Sequence, residues 1–450
     1  MAELIISVSG LRGIIGENLT PELAGQFAAA YAAGQGEGPI VLARDGRGTG
    51  PMLTDAVRAT LLAVGRCVLD AEVAATPTLG VLVRHHHAAG GIQVSASHNP
   101  PQYNGIKLFT ASGQVLPAQE GEKVVERFHQ GRCEWVTYQH IGQAKRLNDT
   151  LSRHEQLVLD CVDPEVIVPQ RFHVLLDSNH GAGSLLGQRL LQRLGCQLTL
   201  LGEQPDGKFS HPPEPIAENL AEVSQQVVAA AADIGFCQDP DADRLALIDE
   251  TGRFIGEEYT VPICLKQVLQ QRKGAVVTNC STSRMSEDLA NNYQVPFYRA
   301  PVGEANVVHA MKEREAVFGG EGNGGPIDPR VGYVRDSFVG MAWVLYAMAR
   351  QAKPLSRLAD ELPRYSICKT KQQVDRPLIP AALEAIEKHF SDAQSSHMDG
   401  LRLDWDGKWL LVRASNTEPI VRIVAETGTE TESEALCNEA ARVIAHVSSR

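Results

Sequence analysis

The sequence predicts an α/β protein with three α/β units and a smaller C-terminal α+β unit. Apolar runs rich in β-branched residues alternate with amphipathic helical patterns, which is typical of mixed or parallel sheets covered by helices. This alternation restarts after a polar region near 140–165 and again near 274. The segment 401–427 has the pattern of a β meander, and one helical pattern follows it. The three starts suggest internal duplication, although no residue-level repeat is visible.

The first unit opens with a strand pattern, PIVLARD, at 39–45. An amphipathic helix follows over 52–65, because its apolar residues recur at helical spacing. Two more strands are predicted at 66–73 and 90–97, and the second of these runs directly into a polar loop with two prolines.

The second and third units repeat this order. A strand and a glycine-rich turn at 172–184 precede a helix, and a strand, an acidic loop and a strand follow over 233–252. The third unit has a strand at 274–283, a helix at 285–294 and a strand with a glycine-rich turn at 316–326. We therefore predict four domains, with the limits 1–150, 151–253, 254–366 and 367–450.

Length and composition exclude several classes of protein. A chain of 450 residues is too long for one ordinary core. Its 43% hydrophobic and 21% charged residues are typical of a soluble globular protein. A formal net charge of −12 predicts no broad basic surface for nucleic acid or an anionic membrane. We expect no membrane span, since no run approaches ~18 apolar residues.

The cysteines indicate a reducing compartment. All nine are scattered, the number is odd, and there is no CxxC pair. This pattern argues against a disulfide scaffold or structural zinc. The N-terminus also lacks the basic start and apolar run of a signal peptide. We therefore expect a cytoplasmic protein.

A serine loop follows the strand at 90–97. The stretch GGIQVSASHNPPQYNGIKLF continues through Ser97, His98 and two prolines to Lys107. Proline lacks a backbone donor and disfavours the helical conformation in the residue before it, so this segment is a rigid turn rather than a helix. Lys107 could accept a proton only if burial or nearby cations lower its pKa.

An acidic loop, DPDADR, carries Asp239, Asp241, Asp243 and Arg244. Three carboxylates at alternate positions form a hard-oxygen site for Mg²⁺ or Ca²⁺, and the arginine suits a neighbouring phosphate. An EF-hand is the rival, with Glu250 at its twelfth position, but its sixth position is an arginine rather than glycine and its flanks are strand patterns. A solvated acidic turn stays open as an alternative.

A C-terminal loop, VRASNTEPIVRI, combines two guanidinium groups with short polar side chains. Its polar residues are Arg413, Ser415, Asn416, Thr417 and Arg422. This set suits a phosphate dianion. A polar hairpin turn without a ligand is the alternative.

A glycine-rich loop, GGEGNGG, places Glu321 and Asn323 where backbone can approach a ligand closely. These side chains suit sugar hydroxyls, although a plain flexible turn remains possible. It is not a P-loop, because no Gly-Lys-Ser/Thr follows.

Three arginines and a histidine run complete the set. Arg12 follows a glycine turn and is open to a role in the site, whereas structural salt bridging is expected for Arg44 and Arg47. The histidines at 85–87 lack a metal-binding spacing and are expected at the surface.

The motifs SASHNPPQYNGIKL, DPDADR, GGEGNGG and RASNTEPIVR, in this order, resemble the α-D-phosphohexomutase superfamily. The match spans essentially the whole chain, from SGLRG to the C-terminal loop. The resemblance implies four domains around one central cleft, each contributing one loop. It also implies an intramolecular phosphotransferase that interconverts hexose 1-phosphate and hexose 6-phosphate. The phosphoryl group would pass through a phosphoserine and a hexose 1,6-bisphosphate, and the protein would be a monomer or a homodimer.

The resemblance also implies residue roles. The implied catalytic residues are Ser97, Lys107, Arg12 and His98. The implied Mg²⁺ ligands are Asp239, Asp241, Asp243 and Ser97, the last through a phosphate oxygen. The implied substrate-binding residues are Arg244 beside the transferring phosphate, Glu321 and Asn323 on the sugar, and Arg413, Ser415, Asn416, Thr417 and Arg422 on the other phosphate.

Two departures from the family pattern concern the choice of sugar. Many members have a serine followed by Gly-His in the sugar loop, where this chain has Asn323 and two glycines. A lysine often follows the Val-Gly of the third domain, where this chain has PVGEANVV with Glu304 and Asn306. In having an asparagine at this position, the chain resembles mutases that act on amino sugars. We therefore expect glucosamine phosphate as the preferred substrate, and glucose or mannose phosphate as the next choice.

Two functions of other classes remain as alternatives. A metal-dependent sugar phosphatase would hydrolyse the phosphoserine. Such an enzyme would not need the loop RASNTEPIVR to hold a second phosphate. A non-enzymatic sugar-phosphate sensor would not need the serine, the lysine and all three aspartates together.

Overall fold

The computed structural model describes residues 4–7, 10–415 and 420–448. They form four units, each with its own sheet, as the sequence predicts. No helix in the described parts of the chain is both long and apolar enough to cross a membrane.

The first unit is a seven-stranded mixed sheet in the order β1-β2-β6-β5-β3-β4-β7. Its strands are β1 (Ile5–Ser7), β2 (Gly10–Ile14), β3 (Ile40–Arg44), β4 (Val68–Val73), β5 (Gly90–Val94), β6 (Tyr103–Thr110) and β7 (Ala144–Arg146). Its helices are α1 (Pro21–Ala32), α2 (Gly50–Ala63), α3 (Thr76–His85) and α4 (Ala118–Gln130).

The second unit is a four-stranded mixed sheet in the order β11-β10-β8-β9. Its strands are β8 (His173–Asp177), β9 (Gln197–Leu201), β10 (Ile234–Gln238) and β11 (Leu245–Asp249). Its helices are α5 (Ser152–Leu159), α6 (Pro164–Ile167), α7 (Gly183–Arg193) and α8 (Ala221–Ala229).

The third unit is a four-stranded mixed sheet in the order β13-β12-β14-β15. Its strands are β12 (Val276–Asn279), β13 (Phe297–Ala300), β14 (Phe318–Glu321) and β15 (Gly325–Ile327). Its helices are α9 (Thr260–Gln271), α10 (Met285–Asn292), α11 (Glu304–Glu313), α12 (Ser337–Gln351) and α13 (Leu355–Asp360).

The fourth unit is a five-stranded antiparallel sheet in the order β16-β20-β19-β18-β17, packed against two helices. Its strands are β16 (Ser366–Gln373), β17 (Gln394–Ser396), β18 (Leu401–Trp405), β19 (Lys408–Ala414) and β20 (Ile420–Thr427). Its helices are α14 (Ile379–His389) and α15 (Glu430–Ser448).

The first three units share one strand pattern. Taking β3 to β6, β8 to β11 and β12 to β15 in turn, the spatial order is second, first, third, fourth. The first three strands are parallel, and the fourth runs antiparallel to the third. This repeated pattern is the structural counterpart of the three starts seen in the sequence. The connection from the third strand to the fourth holds the serine loop, the acidic loop and the glycine-rich loop, respectively.

Helix α12 joins the units behind these loops. It is buried along nearly its whole length, because its sequence is apolar on every face and it packs in the core shared by the second and third units. Its N-cap residue Asp336 accepts hydrogen bonds from two backbone N–H groups of the first turn. The other oxygen of Asp336 lies 2.7 Å from Nε2 of buried His154, whose Nδ1 lies 2.9 Å from Oγ1 of Thr78 on α3. One buried chain of hydrogen bonds thus links the first three units.

Candidate active site

The serine loop connects β5 and β6 and buries Ser97, which is 2% exposed. Ser97 has a φ of 50°, a left-handed conformation that costs energy in a residue with a Cβ. Its backbone N–H donates to Oγ of Ser95 at 2.9 Å, and its own Oγ donates to Oδ2 of Asp239 at 2.9 Å. The strained turn therefore aims the hydroxyl of the first unit at the acidic loop of the second.

Arg47 fixes the backbone of the serine loop through hydrogen bonds. It is 1% exposed and pairs with Asp45 at 3.1 Å. Its two terminal nitrogens donate at 2.6 to 3.0 Å to four backbone carbonyl oxygens, those of Ser97, Asn99, Pro100 and Tyr103. The expected structural ion pair is thus present at Arg47. Arg44 forms no ion pair within the described parts of the chain, because its Nη1 contacts only the carbonyl oxygen of Asp45, at 3.4 Å.

The acidic loop connects β10 and β11, two strands, so the EF-hand alternative is excluded. Asp239, Asp241 and Asp243 are fully buried, and one oxygen from each lies within 4.8 Å of the others. The solvated acidic turn is therefore wrong as well. The Oδ1 atoms of Asp241 and Asp243 are buried without a hydrogen-bond partner. Orphaned carboxylate oxygens that converge in this way fit a divalent cation.

Two cations from other units offset this buried charge. Nζ of Lys107, on β6 of the first unit, lies 2.5 Å from Asp241 and 3.1 Å from Asp243. Nη2 of Arg335, from the third unit, lies 2.7 Å from Asp243. Ion pairs with the first and third units therefore meet at the acidic loop of the second unit.

The pKa values follow from this crowding. Burial and the like charges of Asp241 and Asp243 raise the pKa of Asp239. Burial alone would raise the pKa of Asp241, but the charge of Lys107 together with hydrogen bonds from Lys107 and Thr76 outweighs it and holds that pKa well below its usual range. Burial would likewise lower the pKa of Lys107, but both aspartates outweigh it and raise the pKa. The lowered pKa that a proton acceptor needs is thus not found at Lys107 while it is paired with the two aspartates.

Positive charge surrounds the hydroxyl of Ser97. His98 lies with Nδ1 3.4 Å from that hydroxyl, and burial, then the charges of Arg244 and Arg12, lower its pKa to about 2. Arg12 donates to the side chain of Asn99 at 2.8 Å, and the backbone of Arg244 donates to Asp239 at 3.2 Å. Arginine side chains near this hydroxyl would suit a phosphate group at Ser97.

The glycine-rich loop connects β14 and β15 and fixes Glu321 tightly. Its Oε1 accepts hydrogen bonds from Asn279 at 2.7 Å and from the backbone of Gly303 at 3.1 Å, and its Oε2 accepts one from Arg335 at 2.7 Å. Nδ2 of Asn323 lies 3.5 Å from Glu321, whereas its Oδ1 is buried without a partner. Asn323 therefore has an acceptor to offer to a ligand.

Gly324 brings this loop against the acidic loop. It has a φ of 80°, and its carbonyl oxygen accepts from the backbone of Leu245, the residue after Arg244. A Cβ at this position would lie 2.3 Å from the carbonyl oxygen of Leu245. Only glycine allows the two backbones to approach so closely.

The C-terminal loop lies on the fourth unit, between β19 and β20. Arg413 and Arg422 are directly opposite one another on these strands, and Arg422 is exposed. Ser415 is buried and donates its backbone N–H to Ile420 at 2.9 Å. Asn416 and Thr417 lie outside the described residues.

The structure thus brings together the predicted residues of the first three units. Arg335, which joins Asp243 to Glu321 and also contacts Glu304, was not predicted. Glu214 was also missed; its Oε1 lies 3.9 Å from both His98 and Arg244. His85 and His87 are exposed at the end of α3, as expected, and the three aspartates are the only metal-type cluster found in the described residues.

Family models match four consecutive parts of the chain. The phosphoglucomutase/phosphomannomutase alpha/beta/alpha domains I, II and III match residues 4–134, 153–252 and 257–365, and the C-terminal domain matches residues 369–443. The chain belongs to the phosphoglucomutase/phosphomannomutase family. It is therefore an enzyme of the mutase class, an isomerase that acts by phosphoryl transfer.

Individual members of the phosphoglucomutase/phosphomannomutase family are similar over nearly the full length. A phosphoglucomutase/phosphomannomutase of Thermococcus kodakarensis is 36% identical over 94% of each chain. A probable phosphoglucosamine mutase of Methanopyrus kandleri is 32% identical over 96% of this chain and 95% of its own. A crystal structure of a family protein from Burkholderia thailandensis has a TM-score of 0.87 at 26% identity, covering 98% of this chain and 97% of its own. The predicted resemblance and fold class are confirmed.

Arg47 should matter far more to this mutase than its neighbour Arg44. Arg47→Ala removes the cation that pairs with buried Asp45 and the side-chain donors to four carbonyls of the serine loop, so the free energy of unfolding should fall by about 3–5 kcal/mol. Arg47→Lys keeps the charge but not the planar fork, so it should fold, bind sugar phosphate and turn over roughly 100-fold more slowly. Urea denaturation and steady-state assays measure both effects.

Arg44→Ala is the matched control, with an expected change within about 0.5 kcal/mol. Equal effects at positions 44 and 47, or full turnover in Arg47→Lys, would show that the serine loop holds its shape without this arginine.

Proposed function

We propose that this mutase interconverts hexose 1-phosphate and hexose 6-phosphate, with glucosamine phosphate as the preferred sugar. Ser97 would carry the phosphoryl group, and a hexose 1,6-bisphosphate would be the intermediate. The observation that carries the proposal is the buried contact of 2.9 Å between Oγ of Ser97 and Asp239, in the junction of three loops from three units. A hydroxyl presented to an acidic triad and flanked by Arg12 and Arg244 is suited to hold and release phosphate.

Mg²⁺ is the proposed cofactor. Asp239, Asp241 and Asp243 would hold it, together with a phosphate oxygen on Ser97, because carboxylate oxygens are its usual ligands. The orphaned oxygens of Asp241 and Asp243 support this fit. When bound, the ion offsets negative charge on the phosphoryl oxygens.

The proposed chemistry has two balanced transfers. In the first, the bond from phosphorus to Oγ of Ser97 breaks as phosphorus bonds to one sugar hydroxyl oxygen, whose proton leaves. In the second, the bisphosphate has turned round, and the bond from its other phosphorus to the sugar oxygen breaks as that phosphorus bonds to Oγ of Ser97. The proton of Oγ is removed, and the freed sugar oxygen takes up a proton. Lys107 and Arg12 are the proposed acid/base pair, which would take the proton from the attacking hydroxyl and supply a proton to the departing oxygen.

The remaining residues bind the substrate. Glu321 and Asn323 would contact sugar hydroxyls in both orientations of the ring. Arg244 would contact the transferring phosphate, and the C-terminal loop with Arg413, Ser415, Asn416, Thr417 and Arg422 would hold the other phosphate. The predicted domain limits 1–150, 151–253, 254–366 and 367–450 are kept as proposals.

Two further properties remain proposals. All nine cysteines are free thiols, which supports a cytoplasmic location. A monomer or a homodimer stays the expectation for the oligomeric state.

Glucose or mannose phosphate is the second choice of substrate. The relative from T. kodakarensis is named for glucose and mannose, whereas the relative from M. kandleri is named for glucosamine. A coupled assay panel with glucose, mannose, glucosamine and N-acetylglucosamine 1-phosphates, with catalytic bisphosphate present, separates these sugars. Release of inorganic phosphate in the same panel would instead favour the phosphatase, and no turnover with any sugar would favour the sensor.

Ser97 should carry a phosphoryl group. Intact-mass analysis should find part of the protein heavier by one phosphoryl group, with the mass shift confined to the peptide that contains Ser97. Ser97→Ala should lower turnover by at least about 1,000-fold, since the nucleophile is gone while the rest of the site remains. Ser112→Ala, an exposed serine after β6, is the control and should keep wild-type turnover. Near-normal turnover in Ser97→Ala would refute the phosphoserine.

Asn323 should influence which sugar is used. Asn323→Ser restores the commoner family residue, and we expect it to shift the kcat/KM ratio of glucosamine to glucose 1-phosphate roughly tenfold, about 1.4 kcal/mol. Glu321→Ala should instead depress turnover of every hexose phosphate. An unchanged ratio in Asn323→Ser would move the specificity determinant elsewhere, first to the PVGEANVV segment with Glu304 and Asn306.

A further inference from the structure

Asp399 lies on the boundary between the third and fourth units, next to the C-terminal loop. It belongs to the turn before β18, and its side chain is 18% exposed. Its Oδ2 atom lies 3.0 Å from Nε of Arg413, whose side chain is 14% exposed. An ion pair this well shielded is screened less by solvent than a surface pair, so it can hold the guanidinium in place.

The same oxygen is anchored to the third unit. The backbone N–H of Val302 donates to Oδ2 of Asp399 at 2.9 Å, and the thiol of buried Cys280 lies 3.9 Å from it. Three contacts from two units thus converge on one carboxylate oxygen. Asp399 is fixed by the third unit and in turn orients an arginine of the fourth.

The turn 301–303, which contacts Asp399 through Val302, also contacts the glycine-rich loop that carries Glu321 and Asn323, called the sugar loop below. The next backbone N–H along the chain, that of Gly303, donates to Oε1 of Glu321. The two consecutive N–H groups of Val302 and Gly303 thus donate to carboxylates of different units, Asp399 in the fourth and Glu321 in the third. The turn 301–303 therefore sets the positions of Glu321 and Asp399 together.

Arg413 remains able to bind a ligand while it is paired. Its contact with Asp399 uses Nε, and across residues 4–7, 10–415 and 420–448 no hydrogen bond or ion pair uses its two terminal nitrogens. Those nitrogens are the pair that grips a phosphate in a bidentate manner. The geometry thus indicates that Asp399 orients the guanidinium of Arg413 and does not block its phosphate-binding nitrogens.

We propose that Asp399 is a positioning residue that couples the phosphate clamp of the fourth unit to the sugar loop of the third through the turn 301–303. The inference rests on the proposed function, because Arg413 serves as a clamp only if the substrate carries a phosphate. Asp399 touches no substrate; it acts through Arg413. Its effect falls on every sugar phosphate alike, since the phosphate is common to all of them.

The test compares Asp399→Asn, Asp399→Ala and Arg413→Ala. Asp399→Asn keeps an acceptor for Val302 but loses the charge that holds Arg413, so KM for glucose and glucosamine 1-phosphates should rise together, about tenfold, with kcat changed less than about threefold. The ratio of kcat/KM between the two sugars should stay constant. Calorimetric titration of glucose 6-phosphate should show the same loss of affinity without turnover.

A double-mutant cycle separates positioning from mere structural support. Once Arg413 is removed, Asp399→Ala should have almost no further effect on KM, because the two residues act as one unit. Asp404→Asn is the matched control: Asp404 pairs with Arg402 in the same unit and should leave KM unchanged.

Two results would overturn the inference while leaving the mutase intact: an unchanged KM in Asp399→Asn, or fully additive effects of Asp399→Ala and Arg413→Ala. A sugar-dependent change would also overturn it, since it would make Asp399 part of the sugar selector. Failure of the wild-type protein to bind or turn over any hexose phosphate would refute the proposed function, and with it the clamp role of both residues.

Discussion

Three carboxylates buried in one short loop are the constraint on which the site depends. Asp239, Asp241 and Asp243 are removed from water and face one another, so their charge has to be offset by cations from elsewhere in the chain. Lys107 arrives from the first unit and Arg335 from the third. The acidic loop is therefore neutralised by cations from two other units, at the point where the three loops meet.

The repeated strand order explains how three loops can meet there. In each of the first three units, the connection from the third strand to the antiparallel fourth strand carries the functional side chains. One connection provides the buried hydroxyl of Ser97, one provides three carboxylates, and one provides Glu321 with an unpartnered amide oxygen on Asn323. The same strand arrangement thus presents three different sets of side chains. Behind these loops, the hydrogen-bonded chain through His154 and Asp336 links the three units.

Local chemistry was predictable from the sequence, and long-range pairing was not. The strand-loop rhythm, the turn at Ser97 and the alternate aspartates could be predicted because each depends on neighbouring residues. Arg335 lies in an ordinary segment, VRDSF, and gains its role only when folding brings Asp243 and Glu321 to it. Lys107 was expected to need a lowered pKa, but the distant Asp241 raises it. Asp399 and Glu214 escaped notice for the same reason: their partners lie in other parts of the sequence.

A crystal structure of the protein grown with Mg²⁺ and a hexose 1-phosphate tests the central claim most directly. We expect one ion bonded to oxygens of Asp239, Asp241 and Asp243 at roughly 2.0–2.1 Å, next to the oxygen or phosphate of Ser97. Anomalous scattering from Mn²⁺ used in place of Mg²⁺ would establish the position of the ion. A structure at saturating metal with no ion between these carboxylates, and with Lys107 and Arg335 still paired to them, would contradict it.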